Sequence, residues 1–196
     1  MTRRIAKLIS IAFIIMAATG CSTAPSRFYS LASTATADGT LATSASVMVG
    51  PVTIPASVDQ PEFVVQVAPN RVDVDEFNRW AAPLDDGIAR AVAGDLAVDL
   101  GTQNVSTGPF ANFNPNYRVT IDVQRFESVA GQNALLDAAW TVHKIAGGQT
   151  RSGRTIVTEP VQGDGFDALA AAHSRALAKL SADIAAAIRA EAGQQT

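Results

Sequence analysis

The chain is poor in the residues that do chemistry. Among its 196 residues there is one cysteine, Cys21, and there are two histidines, His143 and His173. A single cysteine excludes an intramolecular disulfide, so a stable fold must rest on its buried core. The histidines show no HxxxH or HExxH spacing, which leaves a zinc site without a scaffold. His143 reads as a solvated strand residue, and His173 as a packed, hydrogen-bonded histidine on an apolar helix stripe. A P-loop, a GxGxxG after a strand and a nucleophile elbow are all missing. Asp85 and Asp86 are adjacent, and neighbours on a helix point about 100° apart, so they do not converge on a substrate. With Cys21 committed elsewhere, no cysteine remains for catalysis, and the expectation is a protein that is not an enzyme and needs no cofactor or metal.

Charge is also scarce. Charged residues make up 17% of the chain and the net charge is −3. Residues 1–20 hold Arg3, Arg4 and Lys7 and no acid, so the remainder carries 12 basic against 18 acidic residues, or −6. An acidic domain does not bind nucleic acid by electrostatics. After residue 20 no apolar run is long enough to cross a bilayer, which takes about 20 residues. Hydrophobic residues nevertheless make up 47% of the chain, a globular composition sized for one domain.

What is present begins at the N-terminus. The three basic residues precede an eleven-residue apolar run, 8–18, and then small residues lead to Gly20 and Cys21. This is the layout of a secretory signal with a lipobox, cleaved between Gly20 and Cys21. The chemistry requires a thiol there: the sulfur takes a diacylglycerol through a thioether, and the freed amine takes a further acyl chain. One chain holds a protein only marginally, at about 0.8 kcal/mol per buried CH2, whereas two or three hold it stably. Ser22, rather than Asp, at the next position points to the outer membrane. Residues 1–20 are therefore expected to be a signal peptide, 21–46 a lipidated N-terminus and tether with a short strand at Phe28–Leu31, 47–192 one domain, and 193–196 a tail.

Within the domain, 47–54 reads as a strand broken at Gly50-Pro51, and 63–67 and 72–74 as a pair joined by a turn at Asn70-Arg71. Leu84, Ile88, Val92, Leu96 and Leu100 form one helical stripe, with Pro83, Asp85 and Asp86 at its start and Gly101 at its end. A polar loop, 101–116, follows. Tyr117, Val119, Ile121 and Val123 alternate with polar residues, as do Leu136, Ala138, Trp140 and Val142, and 153–158 is a weaker strand. Phe166, Leu169, His173, Leu177, Leu180, Ile184 and Ile188 repeat at three or four residues over a long alanine-rich helix. The order predicts an α+β domain: an antiparallel sheet with two amphipathic helices packed on one face.

Binding remains as the open function. Phe110 and Phe113 lie in a polar loop and read either as lids tucked over the core or as an exposed partner patch. Trp80, beside Arg79, reads either as a packing anchor at the start of a helix or as an interface hot spot.

Four segments resemble, in order, the ABC-type transport auxiliary lipoproteins. They are CSTAPSRFYSL from Cys21, VGPVTIPASVDQPEFV from Val49 to Val64, RWAAPL from Arg79 opening a helix that ends in DLAVDLG, and the strand from Tyr117 to Phe126 followed by Trp140 and the C-terminal alanine-rich helix. Gln60 and Ser57 depart from the family pattern. The resemblance implies an outer-membrane lipoprotein on the periplasmic face in a Gram-negative bacterium. Its partners would be a periplasmic MCE-domain protein, with its inner-membrane ABC transporter, in a system that moves lipids or other hydrophobic molecules between membranes. It also implies a homo-oligomer. Two other classes stay open: a lipoprotein that assembles or plugs an outer-membrane β-barrel, and a monomeric periplasmic module for an apolar ligand.

Overall fold

The computed structural model describes residues 24–193. Gly20 and Cys21, the expected cleavage and lipidation positions, lie outside the described residues. Eight strands and two helices are found among those described: β1 (Arg27–Tyr29), β2 (Val47–Thr53), β3 (Glu62–Ala68), β4 (Arg71–Trp80), α1 (Leu84–Leu100), β5 (Val105–Ser106), β6 (Tyr117–Val129), β7 (Asn133–Lys144), β8 (Thr150–Pro160) and α2 (Gly165–Gly193).

The fold is α+β, but the sheet is mixed, which corrects the expectation of an antiparallel one. β3–β4, β6–β7 and β7–β8 are antiparallel; β1–β4, β2–β5, β2–β6 and β3–β6 are parallel. The reason is connectivity. β2 and β6 are separated by α1, and a crossover through a helix returns the chain in the same direction. β6 organises the sheet. One edge pairs with β7 along its whole length, and the other is shared end to end by β2, against Tyr117–Asp122, and by β3, at Ser128.

Alternation places Tyr117, Val119, Ile121 and Val123 on the buried face of β6. A bulge between Val123 and Arg125 then puts two residues of β6 opposite one of β7. The inward parity shifts by one, so that Phe126 and Ser128 face the core in place of Arg125 and Glu127. Both helices pack on this face, and one apolar cluster joins Ile88, Val92 and Leu96 of α1 to Leu177, Leu180 and Ile184 of α2. α1 ends as expected: Gly101 adopts a left-handed φ of 62°, and N–H groups of Gly101 and Thr102 bond back to Val98 and Ala97.

At the β8 edge of the sheet, α2 is tied to the strand by polar contacts. Glu159, itself buried, meets Arg175 and Lys179, and Asp183 accepts from Thr155 at 2.5 Å. Trp140 lies flat over Gly153, its cross-strand partner. A Cβ at Gly153 would come within 2.2 Å of the indole, so only glycine fits under the ring.

Residues 32–46, expected to be a tether, are instead a strap across the two helices. Ser33 Oγ and the backbone N–H groups of Thr34 and Ala35 donate to Asp95 Oδ1 at 2.8, 2.8 and 2.9 Å. Asp95 is fully buried, so these donors replace water around a charge that could not otherwise be carried inside. On α2, Ser174 Oγ accepts from the N–H of Ala32 at 3.2 Å, and Arg189 donates to the carbonyl of Leu41 at 2.7 Å. Gly87, Gly94 and Gly101 line the path at seven-residue intervals, and a Cβ at Gly94 would sit 2.8 Å from that of Ser33.

Asp95→Ala leaves three donors in the strap unsatisfied and is expected to lower the free energy of urea unfolding by about 3 kcal/mol. Gly153→Val drives a side chain into Trp140 and is expected to cost about 2 kcal/mol or more in the same measurement.

Candidate partner interface

Trp80 ends β4 on the buried side and is 7% exposed. Its ring stacks on Phe63 at 4.1 Å between centroids and meets Phe126 edge-on at 6.1 Å. Tyr29 and Phe166 complete the cluster around Phe63, which joins β1, β3, β4 and α2. Trp80 is thus packed into the core, and its edge lines an open apolar groove of about 350 Å³ with Pro61, Pro83 and Leu84. Arg79 points the other way, 37% exposed, and pairs with Glu62 of β3.

Phe110 and Phe113 are brought together. Their rings stack at 4.6 Å and 19°, and the N–H of Phe113 closes a turn on the carbonyl of Phe110 at 3.1 Å. Phe113 is half-buried while Phe110 stays 61% exposed. The stacked pair is thus an ordered aromatic knob. Its loop is pinned to the start of β2, where Ser46 Oγ donates to the carbonyl of Asn114 at 3.0 Å. That places it at the N-terminal end of β6. The structure therefore separates the sequence candidates: Trp80 is core, Arg79 is paired at the surface of β4, and the Phe pair projects from the opposite end of β6.

His173 is the buried polar centre of α2. Its ring stacks on Phe126 at 3.8 Å, and Nε2 lies 2.8 Å from Ser128 Oγ, while Nδ1 is buried with no partner. With one nitrogen unmatched, the neutral ring is the form this site accepts, and burial pushes its pKa down to about 3. His143 meets Thr150 at 3.1 Å across β7 and β8, an exposed contact consistent with a strand residue on the wet face. Asp99 behaves oppositely to His173: burial, with repulsion from Asp95 and Asp38, raises it to about 6. Asp85 and Asp86 occupy the first turn of α1, as dipole-complementing residues do. Among the described residues no group of three His, Cys, Asp or Glu side chains could hold a metal ion, and no helix is long and apolar enough to cross a membrane.

Sequence reasoning missed one surface. The β3–β4 hairpin carries Val67, Val72, Val74 and Phe77 exposed to solvent, beside exposed Phe28 of β1. The alternation Val72-Asp73-Val74 signals a strand, but it does not say that both faces are wet.

A family model described as an ABC-type transport auxiliary lipoprotein component matches residues 29–185. No curated relative matches the sequence. A crystal structure of a Xanthomonas campestris protein assigned to the family model DUF330 aligns with a TM-score of 0.69 at 22% identity, covering 87% of this chain and 100% of that one. A crystal structure of an uncharacterized protein aligns equally well, at 19% identity over 84% of this chain and 99% of its own. These likenesses establish the fold.

The pKa of His173 gives a signed prediction. The unfolded ring titrates near 6.5 and the folded one near 3, so stability from the neutral ring is complete above pH 6.5 and is lost as pH falls towards 3. Asp99, half-buried, opposes this with a smaller weight. The stability difference between the wild type and His173→Gln should shift against the wild type by roughly 1.4 kcal/mol per pH unit between pH 6 and pH 4, measured by urea unfolding.

Proposed function

The chain belongs to the ABC-type transport auxiliary lipoprotein components, and from that premise we propose that it is a non-enzymatic docking subunit, lipidated at Cys21 and held on the periplasmic face of the outer membrane. The family is a component of transport systems and not an enzyme family. In this reading the partner is a periplasmic MCE-domain protein served by an inner-membrane ABC transporter, and the cargo is a lipid or other hydrophobic molecule. Copies of the chain assemble around the partner as a homo-oligomer.

One observation carries the docking role: the two interaction ends lie at opposite ends of β6. Strand β1, six residues after Cys21, sits with β4 and β3, which meet β6 at Ser128. The exposed aromatic knob of Phe110 and Phe113 stands before Tyr117. A strand of thirteen residues covers about 40 Å, so a membrane held at one end leaves the aromatic end facing the periplasm. Tethering then raises the effective concentration of the domain at its partner without requiring a large interface.

Crosslinking in intact cells, followed by purification and mass spectrometry, tests this. The wild type should recover an MCE-domain protein, and Cys21→Ala should lose it. Phe110→Ser with Phe113→Ser should reduce recovery about tenfold, as loss of a hot-spot pair does, with an unchanged urea midpoint. Recovery of an outer-membrane barrel without an MCE protein favours the assembly-factor class instead, and lipid bound to an isolated monomer favours the ligand-binding class.

A further inference from the structure

The β1 strand fixes where the lipid anchor meets the domain. It pairs in parallel with the last residues of β4, Arg27 against Asn78 and Tyr29 against Trp80. The rest of that β4 edge, from Arg71 to Phe77, has no strand beside it among the described residues. Because the pairing is parallel, the backward direction of β1 points along this open edge towards the hairpin tip at Asn70. Cys21 lies six residues before Arg27, and six residues reach at most about 20 Å. The seven steps of β4 from Asn78 back to Arg71 cover about 23 Å, a similar distance. Chain length therefore keeps Cys21 within about 20 Å of Arg27, a radius that takes in most of the open edge of the β3–β4 hairpin.

That hairpin is where exposed apolar side chains concentrate. Five of the ten large hydrophobic residues exposed among the described residues, Phe28, Val67, Val72, Val74 and Phe77, lie on β1, β3 and β4. Exposed apolar side chains on a strand with an unpaired edge are an aggregation liability in water, unless something covers them. The charges on β1 and β4 balance: Arg27, Arg71 and Arg79 against Asp73, Asp75 and Glu76. A neutral, aromatic-bearing strand pair suits the interface of a bilayer through apolar burial, without selection for anionic headgroups.

We propose that the outer surface of the β3–β4 hairpin, with Phe28, lies on the lipid surface as a second membrane contact that orients the domain. The proposal rests on the lipid anchor at Cys21. The hairpin then acts as a foot. The lipid chains hold the protein to the membrane, and Val72, Val74 and Phe28 fix which way up it stands, with the Phe110–Phe113 knob pointing away.

The experiment uses the full chain, purified from membranes and reconstituted into vesicles of phosphatidylethanolamine and phosphatidylcholine. Because an acylated Cys21 offers no free thiol, Val74→Cys supplies a single labelling position. Ile156→Cys, also exposed, on β8 at the opposite edge of the sheet, serves as the control. Replacing part of the phosphatidylcholine by its acyl-brominated form should quench a fluorophore at position 74 by about twofold and leave position 156 unchanged, as interfacial burial of one strand predicts. Substituting phosphatidylglycerol for part of the lipid should not alter the result. The mass of the N-terminal peptide is read on the same sample. An acylated Cys21 with no quenching at 74 overturns the foot while leaving the anchor. Equal quenching at 74 and 156 overturns the fixed orientation. A peptide without acyl mass overturns the anchor and the foot together.

Discussion

A buried carboxylate clamps the strap of residues 33–35 to α1. Asp95 sits on α1 with no exposure to solvent, and its Oδ1 accepts three hydrogen bonds from residues 33–35. A charge in that position costs several kcal/mol unless donors surround it. The strap provides those donors, and in doing so it passes over Gly94 and between the two helices. The strap leads from the end of β1 to the start of β2, and the clamp holds its first residues against α1.

The second organising centre is aromatic. Phe63, Trp80, Phe126 and His173 form a stack that connects β3, β4, β6 and α2. The bulge in β6 is what aims Phe126 at His173, and Ser128, two residues on, reaches the imidazole Nε2. The β3–β4 hairpin, which meets β6 through one bridge at Ser128, depends on this stack to stay in place. Core packing and the placement of the hairpin are thus one problem, solved at the C-terminal end of β6.

Elements with a clean period could be read from the sequence. The alternation from Tyr117 to Val123 and the four-residue stripe from Leu84 to Leu100 fix a strand and a helix, because one face of each is buried. What lay beyond reach was non-local. Parallel pairing of β2 with β6 leaves no trace in either strand. The bulge at Gln124 broke the alternation that would have carried the strand on to Val129. Residues 32–46 look like a tether because their anchoring uses backbone amides, which composition does not reveal. For Trp80 both readings were open until its neighbours were known, and the mutual stacking of Phe110 and Phe113 could not be read from a polar loop. Cys21 carried the strongest local signal and lies outside the described residues.

The strap also sets an order of events as the chain is made. Its residues lie near the start of the chain, yet Ala32 bonds to Ser174, 142 residues later. A chain synthesised from its N-terminus cannot close this contact until α2 has been added. Until then Asp95 has neither Ser181 beside it nor a completed core around it, and β8 lacks the helix that covers it. The polypeptide is thus kept from locking prematurely, and the later of the two helices is the one that seals the strap.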